Sequence, residues 1–105
     1  MSKDSKKPTP NVNSAFLYYA KINKGEHCVQ QMGPQTDGSP GADVNVKDSN
    51  GWTAMHHACW NQNPKLVNLL IYNCADINQK DTGGLTPLML AITRGNASIA
   101  TVDWF

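Results

Sequence analysis

GADVNVKDSNGWTAMHHACWNQNPKLVNLLIYNCADIN, residues 41–78, is the stretch that decides the fold. When the sequence is shifted by 33 positions, this stretch aligns with the residues that follow it, and nine positions are identical. Average residue frequencies would give about two chance identities over such a window. The identical pairs are Ala42 and Ala75, Asp43 and Asp76, Asn45 and Asn78, Lys47 and Lys80, Asp48 and Asp81, Gly51 and Gly84, Thr53 and Thr86, Ala58 and Ala91, and Asn63 and Asn96. The chain therefore contains an internal repeat.

Each copy carries the signals for a turn followed by a short helix. The segments 48–51 (DSNG) and 81–84 (DTGG) are rich in residues that favour turns. Thr53 and Thr86 follow, where a threonine hydroxyl can cap the first turn of a helix. Pro87 occupies a first helical position, where its missing N–H costs nothing. The predicted helices are 54–60 and 87–93.

A second helix follows the first in the better preserved copy. Asn63 is placed to cap it and Pro64 to begin it, and the segment LVNLLIY (66–72) is apolar on nearly every face. A helix of this kind has to be covered on more than one side. Neighbouring repeats would supply that cover, since a helical pair this small is not stable alone.

The motif TAMHHA at 53–58 resembles the Thr-Pro-Leu-His-x-Ala signature of ankyrin repeats, a family with a period of 33 residues. The similarity covers about residues 41–102. It implies an all-α solenoid of helix-turn-helix units, with about two and a half repeats here. It also implies that His56, at the histidine of the signature, bonds to the adjacent turn. Two positions depart from the family pattern: Ala54 replaces a proline, and Gln62 replaces the glycine that usually ends the first helix.

The predicted organisation has four segments. Residues 1–12 are polar and contain prolines, so we expect a disordered tail. Residues 13–45 are interpreted as a degenerate capping repeat with a long loop, 46–78 as a full repeat, and 79–105 as a truncated repeat. In the degenerate repeat, two apolar faces and a turn at Gly25 support the assignment. The faces consist of Phe16, Leu17, Tyr19 and Ala20, and of Cys28, Val29 and Met32. The role of the loop at 33–40 is left open.

The last segment lacks the polar terminal repeat with which such arrays normally close. Asp103 stands where the preceding repeat has Leu70, and the sequence ends with Trp104 and Phe105. Two interpretations stay open: the chain is a shortened form or fragment of a longer array with no independent function, or the two aromatic residues fold back over the open end. In either case we expect low stability, and a chain that belongs to a longer array or is stabilised by a partner.

Composition narrows the classes of function. The 105 residues are 40% hydrophobic and 16% charged, with a formal net charge of +1. So small a net charge gives no long-range field to attract nucleic acid or an anionic membrane. No apolar run approaches the ~18 residues of a membrane span, and the first residues lack the apolar stretch of a secretory signal. The expected partner is therefore another protein, not nucleic acid or a membrane.

The cysteines indicate the compartment. Cys28, Cys59 and Cys74 are odd in number and widely spaced, whereas small secreted domains usually carry an even, dense set. We expect reduced thiols and an intracellular, cytoplasmic protein. The lysines within 3–7 leave a nuclear location open, although a solvated tail is the simpler interpretation.

The cluster of His56, His57 and Cys59, with Cys74 further on, raises the question of zinc. Adjacent residues of a helix point about 100° apart, so both histidines cannot face one tetrahedral ion. Cys59 and Cys74 are interpreted as small buried apolar groups. We expect no metal and no cofactor, and a zinc- or redox-responsive module is kept as an alternative.

No motif of a hydrolase, a phosphate-binding loop or a zinc protease occurs in the sequence, so no catalytic residue is predicted and the protein is not expected to be an enzyme. The main acidic residues lie in turns, where they usually bond to local backbone amides. These are Asp43, Asp48, Asp76 and Asp81.

The resemblance implies a protein-protein interaction module that binds through its concave face and the tips of its turns. Trp52 and Trp60 are the first candidates, because binding hot spots are enriched in tryptophan. The alternative is that they pack against the 33–40 loop or the first repeat. The same resemblance marks Lys47, Ser49, Asn50, Asn61, Lys80, Thr82, Leu85 and Arg94. Together they predict an aromatic, mildly basic strip that suits a segment with an apolar anchor and some acidic residues.

Overall fold

The computed structural model describes residues 12–35, 38 and 40–94, and the regular structure among them is helical, with no strand. The helices in this part of the chain are α1 (Val12–Lys21), α2 (Gly25–Gln30), α3 (Ala54–Trp60), α4 (Pro64–Tyr72) and α5 (Pro87–Thr93). The bounds predicted for α3 and α5 and the start predicted for α4 are confirmed. The fold is all-α, as the repeat pattern indicates.

Side chains at the predicted positions cap the later helices. The Thr53 hydroxyl accepts a hydrogen bond from the backbone N–H of His56, and the Thr86 hydroxyl accepts one from the N–H of Met89. The Asn63 side chain caps α4 in the same way. Each cap satisfies a backbone donor that has no partner within the helix, so these residues fix where the helices begin.

The chain reverses after α1 and after α3 through a residue in the left-handed region. Asn23 has φ 64° and Gln62 has φ 59°, each two residues beyond the end of its helix. Gln62 is the position where the family usually has glycine. A side chain with a Cβ is strained in this conformation, and asparagine tolerates it better than glutamine does.

α3 lies at the centre of the packing and contacts α1, α4 and α5, while α2 contacts α1 and α4. Six of its seven residues are buried. The expected inner face of α1 is also buried: Phe16 and Ala20 are 0% exposed, and Leu17 and Tyr19 pack against the core with part of their surface. On α2 the buried residue is Cys28.

The same hydrogen bond recurs between successive units. The Asn45 side chain accepts a bond from the backbone N–H of Asp76 at 2.7 Å, and the Asn13 side chain accepts one from the N–H of Asp43 at 2.8 Å. Asp43 and Asp76 are equivalent positions of the repeat. The hydrogen bond between the first unit, which contains α1, and the second unit is therefore the same as the bond between the second and the third.

The turns between units are held by aspartates. The Asp48 carboxylate accepts from the backbone N–H groups of Asn50 and Trp52, at 2.9 and 3.0 Å. Asp81, the equivalent residue of the next repeat, accepts in the same way from Gly83 and Leu85. The prediction that the turn aspartates bond local amides is confirmed, and both turns have one geometry.

Gly51 allows these two turns to pack together. Its φ is 78°, and a Cβ at this position would lie 2.9 Å from the backbone nitrogen of Thr82. The N–H of Thr82 instead donates to the carbonyl of Asn50 at 3.2 Å. Any larger residue at Gly51 would be strained and would push the turns apart.

Some expectations fall on residues outside those described. The tail predicted at 1–12 overlaps α1 at Val12, and its other residues are not described. The same holds for residues 36, 37 and 39 of the loop, and for 95–105 with Trp104 and Phe105. Among the described residues, no helix combines the length and apolar character required to cross a membrane.

Candidate functional site

His56 joins its own turn to the turn of the next repeat. Its Nδ1 accepts a hydrogen bond from the backbone N–H of Thr53 at 3.1 Å, and its Nε2 lies 3.0 Å from the carbonyl oxygen of Leu85. Because an N–H can only donate and a carbonyl can only accept, Nδ1 is unprotonated and Nε2 carries the hydrogen. The bond to the adjacent turn that the resemblance implied for His56 is confirmed.

Burial keeps this imidazole neutral. The His56 side chain is fully buried, and desolvation lowers its pKa despite the bond to the Leu85 carbonyl and the nearby carboxylates of Asp48 and Asp81. A neutral ring is what the geometry needs, since protonation of Nδ1 would place two donors against each other at Thr53. His56 therefore acts within the array and is not available to a ligand.

His57 is bound differently. Its Nε2 lies 3.0 Å from Asp48, which makes this a hydrogen bond to a carboxylate. Burial lowers the pKa of His57 and outweighs the opposite effect of that carboxylate. For Asp48, burial raises the pKa, but the bonds from Trp52, His57 and Asn50 more than offset it and lower the pKa on balance.

The thiols differ from one another in exposure. Cys28 and Cys59 are buried, and burial raises the pKa of each to about 12, which makes them poor nucleophiles and poor metal ligands. Cys74 is exposed, so its interpretation as a buried group was wrong. With φ 67° it stands two residues beyond α4, in a turn that carries it away from the core.

In the described part of the chain, no group of three or more potential ligands converges as a metal site would require.

Trp52 lies against α3 and the next turn. Its indole N–H donates to Asp81 at 2.9 Å, and its ring stacks on His56 and meets His57 edge to face. The hydrogen bond from Trp52 also contributes to the lowered pKa of Asp81, after the larger effect of the backbone N–H of Leu85. Much of this side chain therefore connects repeats, and only part of it faces solvent.

Trp60 presents the more accessible aromatic surface. It is 36% exposed at the end of α3, with its ring centroid 5.9 Å from that of Trp52. The Arg94 guanidinium lies over it, 4.5 Å from the ring centroid. Cation–π contact of this kind holds both side chains in place. The structure thus brings together three predicted site residues from two successive repeats.

The other predicted site residues divide into two groups. Asn61, Thr82 and Leu85 bond within the array: the Asn61 amide donates to the carbonyls of Ala20 and Lys21, the Thr82 hydroxyl donates to Asn50, and the Leu85 carbonyl accepts from His56. The second group is exposed at the surface of the turns. It consists of Lys47, Ser49, Asn50 and Lys80.

An open groove runs between α1 and the turn before α3. We call it the inner groove; its main part has a volume of about 490 Å³, and an adjoining part of about 340 Å³ reaches Trp60. Both parts share Lys21, Asp48, Asn50 and His57. Lys47 and Ser49 of the predicted site line the main part, whereas Lys80 lines neither.

Sequence reasoning missed the wall of the inner groove that α1 supplies. This wall contains Leu17, Tyr18 and Lys21. The helical period that placed Phe16 and Ala20 inside also places Tyr18 and Lys21 outside, so the signal was present. A second groove of about 350 Å³, the outer groove, lies between α2 and α4 and is lined by Val29, Lys65, Leu66 and Leu69 among others.

Comparison with known proteins finds several relatives of this chain. The chain is 30% identical over 104 residues to the SMC5-SMC6 complex localization factor protein 1 of Bos taurus, a match that covers 90% of this chain and 10% of the relative. It is 35% identical over 99 residues to the human photoreceptor ankyrin repeat protein, with coverage of 90% and 21%. A putative ankyrin repeat protein of Rickettsia felis is 41% identical over 64 residues. The chain thus spans about a tenth to a fifth of the length of the first two relatives.

The family model for ankyrin repeats, in three copies, matches residues 16–102. The match begins inside α1, so it includes the unit whose sequence is most degenerate. It also agrees with the bond between Asn13 and Asp43 that repeats one unit later. On this evidence the chain belongs to the ankyrin-repeat family, whose repeats generally serve as protein-interaction modules.

Proposed function

We propose that this chain is a protein-interaction module that binds a segment of a partner protein in the inner groove and across Trp60. The observation that carries the proposal is the state of Trp60, which is held between Trp52 and Arg94 but left 36% exposed. A large aromatic side chain that is already fixed loses little conformational entropy on binding, which is typical of hot spots.

The surroundings of Trp60 support a peptide segment as the ligand. The inner groove continues from Trp60 along the floor formed by Asp48 and His57 to the α1 wall. Its lining combines polar and apolar side chains, which suits a stretch of polypeptide chain. We take this surface as the binding face expected from the sequence at the concave side and turn tips of the repeats.

The bovine relative adds support of a general kind, because its name describes a factor that localises a protein complex. A localisation factor has to contact protein, and an ankyrin segment is suited to that contact.

The three free thiols, Cys28, Cys59 and Cys74, support an intracellular location, where cysteines stay reduced.

Affinity capture from a cell lysate tests the proposal. The native chain is compared with Trp60→Ala and with Tyr72→Ala, which removes an aromatic side chain that is 85% exposed on α4, outside the inner groove. We expect a partner retained by the native chain and by Tyr72→Ala but lost by Trp60→Ala, with equal circular dichroism for all three. If all three retain the same proteins, the proposed surface is wrong.

A further inference from the structure

We propose that the segment bound in the inner groove is acidic, with carboxylate groups placed against Lys21 and Lys47 beside an apolar side chain. This inference rests on the proposed function and assigns the chemical class of the partner segment. Some charges on this surface already have partners within the chain, whereas others do not, and the inference follows from that difference.

Two carboxylates matter here, Asp48, which lines the inner groove, and Asp81 in the next turn, and both are satisfied within the chain. Asp48 accepts bonds from the His57 ring and from two backbone N–H groups of its own turn. Asp81 accepts bonds from the Trp52 indole and again from two backbone N–H groups. A carboxylate with three donors around it is well compensated and offers little attraction to a basic ligand. The inner groove is therefore not a site for a basic segment.

The lysines are in the opposite situation. Lys21 at the end of α1 and Lys47 before the turn are both exposed and both line the main part of the inner groove. Neither forms an ion pair with another residue of the described ranges. Burial is the main cause of the lowered pKa of His57 and of His56, and the charges of Lys21 and Lys47 act in the same direction. Lys21 and Lys47 stand against the single carboxylate of Asp48, so the lining of the inner groove carries a net positive charge.

Apolar side chains lie beside these lysines. Leu17, Tyr18 and Val46 line the same part of the inner groove, and Tyr18 is 56% exposed. A phosphate backbone would gain little from such walls, and a surface with so few cations releases few counterions from nucleic acid. A peptide that combines Asp or Glu with a neighbouring Leu or aromatic residue matches both features. Acidic peptide is therefore favoured over nucleic acid.

Panning of a displayed library of random 12-residue peptides on the full chain tests this inference, with affinities then measured by fluorescence anisotropy of labelled enriched peptides. We expect enrichment of peptides with Asp or Glu next to an apolar residue. Lys21→Ala/Lys47→Ala should bind them about three- to tenfold more weakly, with a reduced dependence on salt. Lys24→Ala/Lys65→Ala has the same net charge and should bind as the native chain does.

Other outcomes overturn the inference in distinguishable ways. Enriched peptides that are neutral or basic but still need Trp60 would leave the proposed function standing and remove the acidic class. Equal weakening by both lysine pairs would mean that only net charge matters. Equal competition by single-stranded DNA would point to a general anion surface. Failure to enrich any peptide, together with failure of lysate capture, would count against both proposals.

Discussion

The Nε2 atom of His56 lies 3.0 Å from the carbonyl oxygen of Leu85, a residue 29 positions further along the chain in the turn of the next repeat. The same ring accepts the backbone N–H of Thr53 at 3.1 Å. One buried side chain thus satisfies polar backbone groups of two repeats. Its removal should loosen the helix start and the inter-repeat contact together.

Substitution His56→Ala should lower the free energy of unfolding by about 2–4 kcal/mol, because it removes a fully buried side chain and leaves the buried Thr53 N–H and the partly buried Leu85 carbonyl without partners. Urea unfolding followed by circular dichroism measures the change. His27→Ala, at an exposed histidine on α2, serves as the control and should stay within about 0.5 kcal/mol. Equal effects of the two variants would contradict the role assigned to His56.

Stability should depend on pH through His56 and His57. Burial lowers the pKa of both from the ordinary value of 6.5 in the folded state. The unfolded chain therefore takes up protons below about pH 6.5 while the folded chain does not, so the free energy of unfolding is constant above that pH and falls as pH decreases toward the folded-state values. The lowered pKa of Asp48 and of Asp81 adds a second loss below their ordinary value of 3.8.

Urea midpoints at about pH 8 and about pH 5 check this expectation, and the midpoint at the lower pH should be smaller. A midpoint that is larger at the lower pH would show that the histidines are charged in the folded protein.

Gln62→Gly should stabilise the chain. Gln62 has φ 59°, which strains any residue with a Cβ, and glycine removes that strain at some cost in unfolded-state entropy. We expect a net gain of about 0.5–1 kcal/mol and a rise of about 2–6 °C in the melting temperature. Lys65→Gly, within α4, is the matched control and should lower the melting temperature. A loss of stability in Gln62→Gly would mean that its side chain makes a contact worth more than the strain.

Trp52→Phe should cost about 1 kcal/mol, because the Asp81 carboxylate loses the indole donor that lies 2.9 Å away. Trp60→Phe should change stability by less than about 0.5 kcal/mol, since the Trp60 ring is partly exposed and its indole N–H has no partner among the described residues. Thermal unfolding of the two variants makes the comparison. The reverse order of effects would exchange the roles given to the two tryptophans.

Local signals made much of the fold predictable. Thr53, Asn63 and Pro87 each act on the first turn of the helix that they begin, so their effect depends on neighbours in sequence and can be inferred from it. The contact of His56 with the next turn is a long-range feature, and it was predictable only because a family motif carries it. Charge and burial alone would not have predicted where the His56 imidazole lies.

The rest depends on how units stack, which sequence patterns do not encode. For Trp52 the sequence left open a binding role and packing against the 33–40 loop or the first repeat, whereas the structure places its indole N–H against Asp81 of the next turn. Cys74 looked apolar and buried, whereas its positive φ turns it outward. The α1 wall of the inner groove belongs to the site only because the degenerate first unit packs beside α3.

The most direct test of the account is an NMR footprint of an enriched peptide on the full chain, recorded as changes in backbone amide and indole N–H signals. We expect the largest shifts at Lys21, Lys47 and Asn50 and at the indole of Trp60, which together trace the inner groove. Shifts confined to the outer groove, at Val29, Lys65 and Leu69, would contradict the claim that this chain binds its partner between α1 and the turns.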